Sequence, residues 1–147
     1  MIRGIVRPLG KSLMADMRIN EKHVKVLQNE NSLRQLLLDA FADANIRIVV
    51  DAENVKKIIS HDFTDETGVD DDGITIATIF GESHGAVSTW PFRANPDNGK
   101  VENYSTICLD IFTCGDVQKP YRAFGYIAAH LEAELMVVRA VDRGEPG

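Results

Sequence analysis

Residues 73–92 read GITIATIFGESHGAVSTWPF. Ile74–Phe80 and Gly85–Trp90 are runs of Ile, Thr, Val and aromatic residues and read as two strands. They flank Gly81-Glu82-Ser83-His84, where a glycine and polar residues make the chain bend or open. Downstream, PDNG at residues 96–99 is a turn signal, so residues 91–104 read as a hairpin extension. Tyr104–Thr113 is a long strand rich in Ile, Thr and Tyr. Pro120 suits a first helical position. Tyr121, Phe124, Ile127, Ala128, Leu131 and Leu135 carry an apolar stripe from there to a last strand over Met136–Val141.

Upstream, Leu13, Ala15, Met17 and Ile19 alternate with Ser12, Met14, Asp16 and Arg18, the pattern of a half-buried strand. Leu33, Leu36, Leu37, Ala40, Phe41 and Ala44 have helical spacing, with Ser32 and Gln35 forming an S-x-x-Q box at the start and Asn45 closing the helix. Ile46–Val50 reads as a short β-branched strand. Residues 61–73, HDFTDETGVDDDG, read as an acidic loop. They lack the ligand spacing of an EF-hand, so we expect a solvated loop and no metal. Strands joined by hairpin-length links, with helices between them, predict an α+β fold: a two-layer sandwich with a largely antiparallel sheet and helices on one face.

A chain of 147 residues, 44% hydrophobic, is enough for one domain with one core, and no internal repeat or linker appears. The net charge of -6, with basic residues scattered, argues against nucleic acid as a partner. No run approaches ~20 apolar residues and MIRGIVRPLG lacks the apolar core of a signal peptide, so we expect a cytoplasmic protein with no membrane partner. Cys108 and Cys114 fall in or beside one predicted strand. Six residues of strand span roughly 20 Å, too far for a disulfide. Each is therefore either a small buried apolar residue or a reactive thiol.

With these elements in place, E-S-H at 82–84, T-W-P at 89–91 and F-T-C-G at 112–115 resemble, in order and spacing, the small single-domain S-adenosylmethionine decarboxylases of bacteria and archaea. GKSLMADM near the N-terminus is similar to that family's GRHLLAD-type opening strand, His61-Asp62-Phe63 to its H-x-F, and Pro120-Tyr121-Arg122-Ala123-Phe124 to its P-W-K-A-F helix start. The likeness runs from Gly10 to Gly144.

The resemblance implies a proenzyme that cuts itself between Glu82 and Ser83, giving a β chain 1–82 and an α chain 83–147. A serine hydroxyl held against the preceding carbonyl converts the amide to an ester, proximity replacing external activation. Loss of the Ser83 Hα then leaves dehydroalanine, which hydrolyses to ammonia and a pyruvoyl group. That group would be the cofactor, forming a Schiff base with the substrate amine and accepting electrons as carbon dioxide leaves. By the same resemblance Thr75 polarises the carbonyl during processing. Cys114 returns a proton to the substrate carbon, because protonation of the pyruvoyl carbon would convert it to alanine. Phe63 and Trp90 lie near the adenine ring of S-adenosylmethionine, although plain core packing accounts for either aromatic equally well. The family works as homodimers of αβ protomers.

Two departures bear on function. The family histidine that removes the Hα is here Ser88, and a hydroxyl is no base near neutral pH whereas histidine titrates at about 6.5. Either another group performs the elimination, or processing is slow, or it stops. The family glutamate of T-W-P-E, which binds the ribose hydroxyls, is here Phe92; Glu102, returning from an inserted hairpin, would take its place. Three readings follow: S-adenosylmethionine decarboxylase, supplying the aminopropyl donor for spermidine synthesis; a decarboxylase of arginine or ornithine on the same fold; and an unprocessed regulatory paralogue.

Overall fold

The computed structural model describes residues 6–47, 56–61, 73–79, 84–90, 93–94, 101–102, 105–114 and 117–146. Strand β1 (Val6–Ile19) leads through a 3-10 turn at Glu21–His23 to α1 (Val24–Gln28) and α2 (Glu30–Asp43). There follow β2 (Lys56–His61), β3 (Gly73–Ile79), β4 (His84–Trp90), the short β5 (Arg93–Ala94) and β6 (Val101–Glu102), β7 (Ser105–Thr113), α3 (Gln118–His130) and β8 (Leu135–Pro146). Six strands form one sheet in the order β2-β3-β4-β7-β1-β8, and every neighbouring pair is antiparallel. The α+β expectation is met.

Alternation along the strands sends one set of side chains to a single core. Leu13, Ala15, Met17 and Ile19 of β1, Ile74 and Ile76 of β3, Val87 of β4 and Ile107, Leu109 and Ile111 of β7 are buried with Leu33, Leu36, Leu37, Ala40 and Phe41 of α2 and Ala123, Phe124 and Ile127 of α3. The helices thus cover one face. The residues in between, among them Ser12, Met14, Asp16, Ser88, Cys108 and Phe112, point to the other, where no helix packs among the described residues.

Both long helices end in the same way. At α2 the Ile46 N–H donates to Phe41 and the Asn45 N–H to Ala42, with Asn45 at φ 57°. At α3 the Ala133 N–H donates to Ala128 and the Glu132 N–H to Ala129, with Glu132 at φ 48°. Each closes the helix with a left-handed residue that satisfies the last carbonyls. Asn45 therefore ends its helix as its sequence suggests, since asparagine tolerates this conformation.

Four local readings change. The α2 N-cap is Asn29, whose Oδ1 accepts from the Ser32 N–H at 3.0 Å. Ser32 is therefore the third helical residue, and Gln35 donates instead to Asp39 at 2.8 Å. The S-x-x-Q string thus lies one turn inside the helix, because asparagine caps as well as serine and Asn29 comes first. Helix α3 begins at Gln118, two residues before Pro120, which still lies within the first turn where its missing N–H costs nothing. Tyr121 is exposed, the buried face being set by Pro120, Ala123, Phe124 and Ile127. Ile46 and Arg47 are not in a strand, and residues 48–50 lie outside the described residues. Strand β2 carried no sequence signal strong enough to predict it. The expected 91–104 hairpin is present as the β5–β6 pair, Arg93 opposite Glu102 and Ala94 opposite Val101; its PDNG turn lies outside the described residues.

Candidate active site

The hairpin read from residues 73–92 is the central device. Ile79 pairs with His84 at its closed end and Thr75 with Ser88 nearer its open end. Both of the latter side chains are half-buried on the helix-free face, and their hydroxyls share a hydrogen bond of 2.8 Å in which either can donate. Ser88 is also opposite Cys108 of β7, and Cys108 opposite Asp16 of β1, so Thr75, Ser88, Cys108 and Asp16 form one lateral row across four strands. Asp16 accepts from Arg139 Nη1 of β8 at 3.3 Å.

A second row lies at the closed end of the hairpin. His84 pairs with Phe112, their ring centroids 5.5 Å apart, and the Arg143 guanidinium stands 5.3 Å from the Phe112 centroid. Two residues past Phe112, beyond the end of β7, is Cys114, exposed and in no disulfide. The antiparallel register thus brings Cys114 to the same end of the sheet as His84, whose Cα is ~3.8 Å from that of Ser83 by chain geometry alone. Cys108 is also in no disulfide, half-buried in mid-strand. The sequence left each cysteine open between packing and reactivity; exposure separates them.

Register also shows what does not meet within one chain. Ser88 follows His84 by four residues of strand, a separation of about 13 Å at ~3.3 Å per residue. The Thr75–Ser88 pair and the Cys114 end are therefore distinct stations on one face. Trp90, half-buried on that face and paired with Thr106, is farther still. Glu82, Ser83, Phe63 and Phe92 lie outside the described residues, and of Glu102 only the backbone pairing with Arg93 is described.

Thr89, the threonine of the T-W-P string, points the other way. It is fully buried; its Oγ1 accepts from the Ile74 N–H at 3.0 Å and donates to the Leu27 carbonyl at 2.9 Å, tying α1 to the β3–β4 hairpin. Sequence reasoning missed this structural role, although its position one residue from Trp90 fixes it on the opposite face.

Among the described residues no three His, Cys, Asp or Glu side chains converge as a metal site. The acidic run over 62–72 lies outside them. A surface groove lined by Val26, Ser32, Gln35, Asp39 and His130 belongs to the helix layer and contains none of the predicted site residues. No helix among the described residues is long and apolar enough to cross a membrane.

An antiparallel sheet with helices on one face, and Cys114 at the end of it where His84 stands, is the arrangement to set beside known proteins, and they place the chain in one class. The family model described as S-adenosylmethionine decarboxylase matches residues 11–144, and the chain belongs to that family, one of pyruvoyl-dependent decarboxylases. It is similar to the arginine decarboxylase proenzyme of Pyrobaculum arsenaticum, 31% identical over 119 residues, which is 81% of this chain and 74% of that protein. It is likewise similar to the S-adenosylmethionine decarboxylase proenzyme of Hydrogenobaculum sp., 28% identical over 141 residues, 95% of this chain and 85% of that one. The crystal structure of the adenosylmethionine decarboxylase from Aquifex aeolicus shares the fold, with a TM-score of 0.62 at 23% identity over 94% of this chain and 92% of that chain.

Proposed function

We propose that the chain splits between Glu82 and Ser83 into a β chain 1–82 and an α chain 83–147, and that the mature protein decarboxylates S-adenosylmethionine. The observation that carries this reading is the register pairing His84 with Phe112, which puts the exposed Cys114 at the end of the sheet where the residue after Ser83 sits. A pyruvoyl group made from Ser83 would supply an electron-withdrawing carbonyl for loss of carbon dioxide. The chain's own residues do the rest. Cys114 holds the proton that returns to the substrate carbon, and its exposure just beyond the end of β7 lets a small molecule reach it. Trp90 and Phe63 offer flat apolar surfaces for an adenine, and Glu102 an acceptor for ribose hydroxyls.

The Thr75–Ser88 pair fits processing in a homodimer. It stands about 13 Å along β4 from His84, at the far end of the hairpin from residue 84. A second copy laid on the bare face would bring one chain's pair to the other's Ser83. Leu135, Val137 and Val141 of the edge strand β8, all exposed, give that face an apolar rim suited to burial in such a dimer.

Arginine is the second reading, favoured by the 31% identity to an arginine decarboxylase proenzyme and by Phe92 in place of the ribose-binding glutamate. Purified protein on a denaturing gel, followed by a panel of labelled S-adenosylmethionine, arginine and ornithine, tests all of this. Two fragments, a carbonyl trapped by hydroxylamine at residue 83 of the smaller one, and carbon dioxide from S-adenosylmethionine are expected. Carbon dioxide from arginine alone would replace the substrate, and one intact chain with an ordinary serine would end the enzymatic reading.

A further inference from the structure

We infer that Gly10 is a positioning residue for Cys114: the missing side chain at position 10 lets the end of β7 settle against β1 and so fixes where the thiol stands. Strand β1 pairs with β8 from Val6 onward but with β7 only from Lys11, which is opposite Thr113. Gly10 is therefore the next β1 residue beyond that ladder, level with Cys114. The β1–β8 register shifts between Pro8 and Gly10, a bulge that re-aims the strand at this point.

The approach is close enough that any side chain here forces the neighbouring backbone to shift. A Cβ on Gly10 would lie 2.9 Å from the Cys114 Cα and 2.9 Å from the Thr113 carbonyl carbon, and nearer still to the Thr113 carbonyl oxygen. All three are backbone atoms, so no rotamer change relieves the contact. Ordinary contact begins at 3.4 Å, so residues 113–114 would have to retreat by about 0.5 Å or more, and a displacement of order 1 Å at a reacting group is enough to cost ~100-fold in rate. Gly125 is the internal contrast: on the exposed side of α3, a Cβ there meets nothing within 4 Å.

The consequence for chemistry rests on the proposed decarboxylation. After carbon dioxide leaves, the electron pair it abandons takes one proton. Delivered from Cys114 Sγ to the substrate carbon, that proton gives the amine product, and water restores the carbonyl at residue 83. Delivered to the residue-83 carbon instead, it leads on addition of water to an N-terminal alanine that keeps the substrate's nitrogen, while the substrate departs as an aldehyde. Gly10 favours the first outcome by holding the thiol over the substrate carbon.

The experiment compares full-length wild type, Gly10→Ala and Gly125→Ala. Gly10→Ala should still split, with kcat at least tenfold lower, KM within twofold, and at least tenfold more N-terminal alanine per turnover by intact mass of the α chain. The rate of iodoacetamide alkylation at Cys114 relative to Cys108, read from peptide masses, should change at least threefold in Gly10→Ala and stay unchanged in Gly125→Ala. Wild-type values for both the alanine yield and the alkylation ratio in Gly10→Ala would overturn the inference. So would a Gly10→Ala chain that neither splits nor melts cooperatively, because the glycine would then serve the fold as a whole. Alkylation needs no carbonyl at residue 83: if the wild type never splits yet the ratio still changes in Gly10→Ala, the positioning contact stands and the decarboxylase reading falls.

Discussion

The hydroxyls of Thr75 and Ser88 face each other 2.8 Å apart across the β3–β4 ladder, so the residue standing where the family carries its base is engaged by the residue standing where it carries its carbonyl donor. Neither hydroxyl is a base near neutral pH. Ser88→His should therefore accelerate self-cleavage, by ~100-fold or more if histidine acts as a general base, as followed by the appearance of two fragments in a time course. An unchanged rate would place the base elsewhere. Processing across a dimer makes a sharper forecast: Thr75→Val chains, slow alone, should split when co-expressed with Ser83→Ala chains, which keep an intact threonine.

Thr89 should matter for stability and not for chemistry. Thr89→Val leaves the buried Ile74 N–H and Leu27 carbonyl without their hydroxyl partner, at a cost on the order of 2–4 kcal/mol. Thermal melting should fall by roughly 5–10 °C. Thr89→Ser, which keeps the oxygen, should recover most of the loss.

Gly125 sits in the interior of α3, exposed, with open space where a Cβ would point. Gly125→Ala should raise stability by about 1 kcal/mol through helix propensity alone. A rise in melting temperature of roughly 2–4 °C is the expected reading, and a fall would mean that a neighbouring chain covers that side of the helix.

Glu132 takes a left-handed conformation that asparagine or glycine would adopt more readily, and in it meets His23 Nε2 at 2.7 Å and Lys22 Nζ at 3.4 Å. The hydrogen bond from His23, then the hydrogen bond and charge of Lys22, hold its carboxyl below its ordinary value of 4.5. A carboxylate so lowered stabilises the fold above about pH 4.5 and loses that contribution as the pH falls through its folded value. Melting temperature measured from pH 6 down to 3 should show this component in the wild type and lack it in Glu132→Gln, and 0.5 M salt should shrink the difference because the pair is exposed.

The sheet was legible where alternation or composition is strong: Leu13 to Ile19 alternate as a half-buried strand does, and the Ile, Thr and Tyr content of 104–113 marks a second, whose Ile107, Leu109 and Ile111 are buried. Helix ends were less so. Asn29 and Ser32 are equally good caps, and only the backbone of the Asn29 turn decides between them. Candidate site residues were recognisable as types, yet their distances were not: that Thr75 meets Ser88 while Cys114 stands one hairpin length away follows from register, which the strings E-S-H and F-T-C-G do not encode. Gly10 looked like part of an opening motif, and its closeness to Thr113 emerges only when β1 and β7 are laid side by side.

The strand order has a consequence for what happens after a cut between residues 82 and 83. Strand β1 would belong to the longer product, while β7 and β8, between which it is hydrogen-bonded, would belong to the shorter one. The two pieces would be interleaved like fingers of clasped hands, so parting them means tearing β1 out of the middle of the sheet and exposing the core it lines. Release of either piece and denaturation of the whole would then be a single event, and neither polypeptide should be recoverable in native form without the other.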